Sequence, residues 1–483
     1  MQKAVGRISA LLSRIIFIGM SIQIVLGIVW MCGNFLYFQD FGESAFYVSV
    51  SKNFICDEYT GILYPVVLLL ARGIGRLFGV PYYCVIYAVQ LLGAWYGACR
   101  LLGRLKKTGR ALRLWGGLGI LTLPMAMQCH LAVLPYSLAS SFFLLEISSS
   151  LRIILEERCG GLKQMAKIAS FWLLCVLLMP EYLYLGAAPV VFVLLCELAR
   201  TLKECGTLSK CGKNSSSAGE AFGRLGAMGL AAAVFLGIIL GMNSLTQVEG
   251  YYGKTLRSPE ASLVSRFAWS SLMDNYDSWP GEVQEALDWG KLQESAFYPD
   301  NMARVFGPLV EEALGEEEAR EFFLAAAKQA WKQNREGILH EIIWDAAAYT
   351  VSPVAFQMQL TGRGYDAYTG RNYEIMRHNT PVLARIYMDY GCWWFAAGLG
   401  ISAVLQLLCI FRDRSIVCRK NVLACVLILC SLSGMILWYT MQGAGIMDYK
   451  NTIAVNCFWT VWSLLVMWKG LEEYACFQRE ETV

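Results

Sequence analysis

Residues 15–36 read IIFIGMSIQIVLGIVWMCGNFL, an apolar run preceded by Lys3, Arg7 and Arg14 and followed at once by Tyr37-Phe38-Gln39-Asp40-Phe41-Gly42-Glu43. A helix needs about 20 predominantly apolar residues to cross a bilayer, so this run is expected to span one. It is too long for the apolar core of a secretory signal and lacks an Ala-x-Ala exit. Trp30 and Met31 are too bulky to precede a lipidated Cys32. The first helix is therefore expected to be retained. The three cations before it set the N-terminus inside, which puts Asp40 and Glu43 on the outer surface.

Composition extends this reading to the whole chain. Of 483 residues, 56% are apolar and 16% charged, against roughly 25% charged in soluble domains. The mean hydropathy is +0.44. These values exclude a disordered chain, a nucleic-acid-binding arm and an ordinary soluble enzyme. Most of the 17 cysteines sit in apolar runs, none lies in 246–389, and no CxxC or metal-type Cys/His spacing occurs. They read as small apolar side chains rather than a disulfide scaffold.

Further apolar runs lie at about 82–102, 115–133, 136–153, 168–179 with 182–199, 225–245, 391–411, 422–440 and 451–468. The cluster Arg100, Arg104, Lys106, Lys107, Arg110 and Arg113 belongs inside, so one span, 82–102, lies between residues 37 and 104. The weaker run 61–78, interrupted by Arg72 and Arg76, is expected along the outer interface with both arginines reaching toward headgroups. Lys163 and Lys167 before 168–199, and Arg200 and Lys203 after it, make that segment a hairpin turning near Pro180, with Glu181 at depth. Gly93 and Gly97 offer a small-residue packing face, Glu146 lies in an apolar run, and His130 reads as structural.

The expected fold is an all-α polytopic membrane protein with about ten transmembrane helices and both ends inside. Residues 1–245 form an N-terminal transmembrane domain, with an acidic first external loop (37–60) and an interfacial helix (61–78). Residues 246–389 form a mostly helical extracytoplasmic domain, and 390–483 the C-terminal transmembrane helices. The 246–389 segment is acidic in balance and the remainder basic, which agrees with that placement.

Asp40, Glu43, Asp57 and Glu58 put four carboxylates in one short loop, enough for a general base or a divalent-cation site. Solvated loop carboxylates are the ordinary alternative. Arg363, Arg371, Arg377, His378, Arg385 and Lys450 are outer-side cations that the positive-inside bias does not explain. They suit either headgroup anchoring or an anion.

The chain resembles the GT-C superfamily of polytopic glycosyltransferases, which includes the protein O-mannosyltransferase and aminoarabinose transferase families. The resemblance rests on Asp40-x-x-Glu43 leading into a helical stretch Ser44–Phe54, then on Tyr59-Thr60-Gly61-Ile62-Leu63-Tyr64-Pro65 opening a juxtamembrane stretch from Leu68 to Gly79. It rests also on Met179-Pro180-Glu181-Tyr182 at the hairpin turn and on Asp448-Tyr449-Lys450 in the last outer loop. The sequence departs from those families in spacing its acids as Asp40 and Glu43, in carrying Met179 before Pro180, and in its 246–389 insertion.

The resemblance implies a hexosyl- or pentosyltransferase that takes a polyprenyl-phosphate-linked sugar, meets membrane lipid and serves an extracytoplasmic acceptor. Asp40 would be the catalytic base, with Glu43 as support. A divalent cation, if one is used, would sit on this pair, and no other cofactor is implied. Arg371, Arg377, His378, Lys450 and Glu181 would face the donor and its phosphate. The implied location is a bacterial cytoplasmic membrane. A non-catalytic envelope-assembly protein on the same scaffold is the competing reading, and a transporter a third.

Overall fold

The computed structural model describes residues 2–38, 44–53, 61–104, 110–156, 162–179, 182, 186–187, 189–199, 275–292, 307–340, 363–366, 371–374 and 381–387, with scattered positions in 226–237 and 390–408. Among the described residues, nine helices run through the first part: α1 Gln2–Asn34, α2 Ser44–Asn53, α3 Leu63–Phe78, α4 Tyr82–Leu102, α5 Arg110–Leu121, α6 Pro124–His130, α7 Tyr136–Glu156, α8 Leu162–Leu178 and α9 Pro189–Ala199. Three more follow: α10 Gly281–Leu292, α11 Gly307–Leu314 and α12 Glu316–Gln333. Among the described residues, two helices are long and apolar enough to cross a membrane, Lys3–Asn34 and Tyr82–Leu102.

Side-chain exposure explains what these helices meet. On α1 the exposed residues include Leu11, Ile15, Ile18, Ile22 and Val25, spaced three and four apart along one face. On α4 they are Val89, Leu92 and Tyr96. A water-facing helix puts polar groups on that face. A helix apolar on both faces suits a bilayer.

Helix α4 is the hub, packing on α3, α5 and α7, while α8 closes against α7. Gly97 lets α4 and α7 approach: a Cβ there would stand 3.0 Å from the Ser141 carbonyl and 3.2 Å from Leu144 Cβ. Gly93 meets the same Ser141 side chain. This is small-residue packing between helices. Polar side chains serve as ties inside the bundle, as where Gln23 Nε2 on α1 donates to the Gly119 carbonyl on α5 at 2.8 Å.

Two expectations are corrected. The 115–133 run is not one helix, because Pro124 forces Leu123 into extended backbone and starts α6 afresh. Tyr387, in the helical stretch 382–387, donates its hydroxyl at 2.7 Å to the Thr122 carbonyl at that break. Arg72 is buried rather than directed at headgroups. Within the mostly helical segment 246–389, β1 Arg363–Asp366 pairs antiparallel with β2 Arg371–Glu374. Its register sets Arg363 opposite Glu374 and Arg371 opposite Asp366. Glu146 lies at the midpoint of α7.

The 162–199 segment does reverse direction. Trp172 Nε1 on α8 donates to the Tyr182 carbonyl at 3.3 Å, and a Cβ at Gly186 would overlap the Trp172 ring and stand 3.1 Å from Glu146 Oε2. Gly61, just before α3, sits against the Leu177 and Leu178 carbonyls at the end of α8. The start of α3 and the end of α8 are thus brought together at one place.

Candidate functional site

The carbonyls just past the end of α1 need partners when they are buried, and α4 supplies them. Cys84 Sγ reaches the Phe35 carbonyl at 3.4 Å, Tyr83 donates to Leu36 at 3.2 Å, and Tyr87 donates to Tyr37 at 3.3 Å. Phe38 is fully buried and packs edge-on to Tyr83 with ring centroids 5.8 Å apart. The exit of α1 is thereby fixed two residues before Asp40.

The chain returns to the described structure at Ser44, itself buried. One turn along α2, Tyr47 meets Tyr64 of α3 edge-on at 5.6 Å and lies 3.2 Å, hydroxyl to hydroxyl, from Tyr136 of α7. Gln90 of α4 donates to the Leu134 carbonyl at 2.7 Å. Its amide also lies beside the Tyr64 hydroxyl, short of hydrogen-bond geometry. Burial, and then the neighbouring Tyr47 and Tyr87, push the Tyr64 hydroxyl well above its ordinary pKa, so it stays a neutral donor.

Ser44 Oγ, Tyr64 Oη and Gln90 Oε1 are buried without a hydrogen-bond partner among the described residues. Buried polar atoms are rarely left unmatched, because the loss costs roughly 1–3 kcal/mol each. Donors and an acceptor framed by aromatic rings suit a hydroxyl-bearing ring.

Arg72 of α3 completes the cluster. Its Nη2 donates to the Val48 carbonyl at 3.1 Å and to Ser51 Oγ at 2.7 Å, both on α2. Its guanidinium carbon stands 5.5 Å from the Tyr82 ring centre.

The expected site residues fall mostly outside the described residues: Asp40, Glu43, Glu181, Arg377, His378 and Lys450 all do. The backbone of Arg371 is described, in β2 opposite Asp366. Strand β1 packs against α2, so residues more than 300 positions apart in the chain meet beside the acidic stretch. Among the described residues, no three His, Cys, Asp or Glu side chains gather to hold a metal ion.

Sequence reasoning gave Tyr47, Gln90 and Tyr136 no role and gave Tyr64 only a place in the motif that opens α3; no local pattern marks the four as a group. His130 Nδ1 lies 2.6 Å from Ser137 Oγ, both groups buried. Glu146 is fully buried, and neither carboxyl oxygen finds a partner among the described residues.

No family model matches the chain, and no curated protein matches it. Two solved structures are similar to it, both of ArnT from Cupriavidus metallidurans. The apo form is 13% identical, covering 89% of this chain and 75% of its own, with a TM-score of 0.28. The form bound to undecaprenyl phosphate is 12% identical, covering 90% and 77%, with a TM-score of 0.29. A likeness of that degree carries no argument about the chemistry of this chain.

Proposed function

We propose that the chain is a membrane glycosyltransferase that moves a sugar from a polyprenyl-phosphate donor to an extracytoplasmic acceptor. The observation that carries this reading is the anchoring of residues 39–43. They run between Phe38 and Ser44, both buried, and Ser44 leads into a cluster whose polar atoms await partners. A general base must be held within hydrogen-bond reach of its proton, and a short acidic stretch tied at both ends meets that need.

In this reaction the acceptor hydroxyl oxygen bonds to the sugar's anomeric carbon, and Asp40 takes the hydroxyl proton. The bond from that carbon to the phosphate oxygen breaks, and polyprenyl phosphate leaves with the electron pair. Glu43 supports Asp40 or joins it in holding a divalent cation. Tyr47, Tyr64 and Gln90 line the sugar's place. Arg371, Arg377, His378 and Lys450 are the candidates for the leaving phosphate, the arginines first because a guanidinium can grip it through two donors, with Glu181 at the hairpin turn. The setting is a bacterial cytoplasmic membrane, with residues 246–389 outside.

The test is transfer from radiolabelled polyprenyl-phosphate sugars in proteoliposomes. Asp40→Asn is near-isosteric and is expected to keep the fold while lowering turnover by roughly 10²–10⁴-fold, the usual worth of a positioned base. Unchanged turnover removes Asp40 from the mechanism. Absence of transfer from every donor favours a non-catalytic envelope-assembly role.

A further inference from the structure

We propose that Arg72 is a positioning residue for the acidic stretch 39–43. Its catalytic consequence rests on the transferase reading; its structural consequence does not. Five residues join Phe38 to Ser44. The described residues on either side of them, Phe38 and Ser44, are both buried. One end is held by α4, through Tyr83, Cys84 and Tyr87 on the carbonyls of residues 35–37.

The other end is α2, a ten-residue helix, too short to be stable without tertiary contacts. Arg72 supplies a polar tie to it. The guanidinium spans Val48 and Ser51 on α2 and lies over Tyr82, the first residue of α4. One side chain therefore refers α2 to the same first turn of α4 that holds the end of α1. Both ends of the acidic stretch are set from one place.

The chemistry requires arginine. A planar guanidinium can reach two acceptors and still stack on a ring, whereas an ammonium serves as a point charge. Burial agrees with this inward role, since the Arg72 side chain is 5% exposed while Arg76, one turn on, is exposed. Losing the tie would let α2 shift on α3. A misplacement of about 1 Å in a reacting group costs on the order of 10²-fold in rate.

The experiment is hydrogen exchange by mass spectrometry on the full chain in lipid nanodiscs, paired with transfer kinetics. In Arg72→Gln, exchange in residues 44–53 is expected to rise at least about tenfold while 82–102 is unchanged. Turnover is expected to fall roughly 10–100-fold with the half-saturating donor concentration unmoved, a split that general destabilisation would not give. Arg72→Lys is expected to fall between the two proteins. Ser51→Ala, which keeps the fold if Arg72→Gln does not, is expected to raise exchange in 44–53 more modestly.

Unchanged exchange in 44–53 in a folded Arg72→Gln or Ser51→Ala protein overturns the tie. Raised exchange with unchanged turnover overturns the positioning role. If the wild-type chain transfers no sugar but exchange responds as stated, the tie stands and the transferase reading falls.

Discussion

The α1–α9 bundle and the α10–α12 helices both bury apolar side chains but expose different ones. In α12, Ala319, Phe323, Ala326 and Ala330 are buried and Glu316, Glu317, Glu318 and Glu321 face outward, the pattern of a helix in water. In the bundle, leucines and isoleucines such as Leu11, Ile18, Ile22 and Leu92 also face outward, while Ser137, Gln90, Arg72, Glu146 and a set of tyrosines lie inside beside the apolar core. The two regions therefore meet different solvents. Where lipid covers the outside, apolar surface no longer drives helices together, and small residues, hydrogen bonds and close packing take over. Polar groups gathered inside such a bundle are the natural material for a site.

Sidedness gives an all-or-none result. A cysteine placed at Ser295, with accessible native cysteines replaced, is expected to react with an impermeant maleimide from the outside of intact cells. Labelling only after permeabilisation would put the acidic segment inside and overturn the topology.

The same substitution at two exposed apolar positions should have unequal effects. Val25 is 60% exposed on α1 and Leu324 44% exposed on α12. Val25→Lys is expected to cost about 2.5–3.5 kcal/mol in membrane insertion, the worth of a lysine at mid-bilayer. Leu324→Lys is expected to change stability by less than about 0.5 kcal/mol. A glycosylation-reporter insertion assay reads the first and thermal unfolding the second. Equal effects would mean that both helices see the same medium.

Glycines separate the two regions again. A Cβ at Gly61 would overlap the backbone carbonyls of Leu177 and Leu178, which cannot swing aside, whereas one at Gly281, the first residue of α10, would meet nothing. Gly61→Ala is expected to cost about 1–3 kcal/mol of thermal stability in detergent, and Gly281→Ala less than about 0.5 kcal/mol. A tolerated Gly61→Ala would deny that α3 is seated on the end of α8.

Only a slight effect is expected at an exposed pair in the second region. Tyr276 donates to Asp288 at 2.6 Å, and this bond, which the ionised phenol would lose, raises the Tyr276 pKa. The neutral form is the one favoured in the fold. Its contribution is therefore complete below the ordinary tyrosine pKa of about 10 and fades as pH rises through the raised value. Tyr276→Phe should differ slightly from wild type in Tm near neutrality, and the difference should vanish at strongly alkaline pH. A gap that persists there would assign the effect to packing.

Several of these features were legible in order along the chain. The uninterrupted run 15–36, the basic residues at 100–113, Gly93 with Gly97, and the reversal near Pro180 each depend on neighbours within a few turns. Local sequence therefore carries them. Pro124 was legible too, but the length of the surrounding apolar run hid its effect: hydropathy averages over a window, whereas a proline acts at one bond. The hairpin 363–374 escaped because its strands are four residues each, too short to show a period of two.

Residue order alone was enough to predict the medium. Apolar runs, with cations to orient them, say which stretches belong in lipid, because transfer free energy adds residue by residue. Folding in three dimensions was needed for the inward turn of Arg72, the meeting of Tyr47, Tyr64, Gln90 and Tyr136, and the seating of β1 against α2. Those residues come from separate helices or from distant parts of the chain. No local pattern marks them, because a buried polar group owes its place to partners that only the packed bundle brings within hydrogen-bond reach.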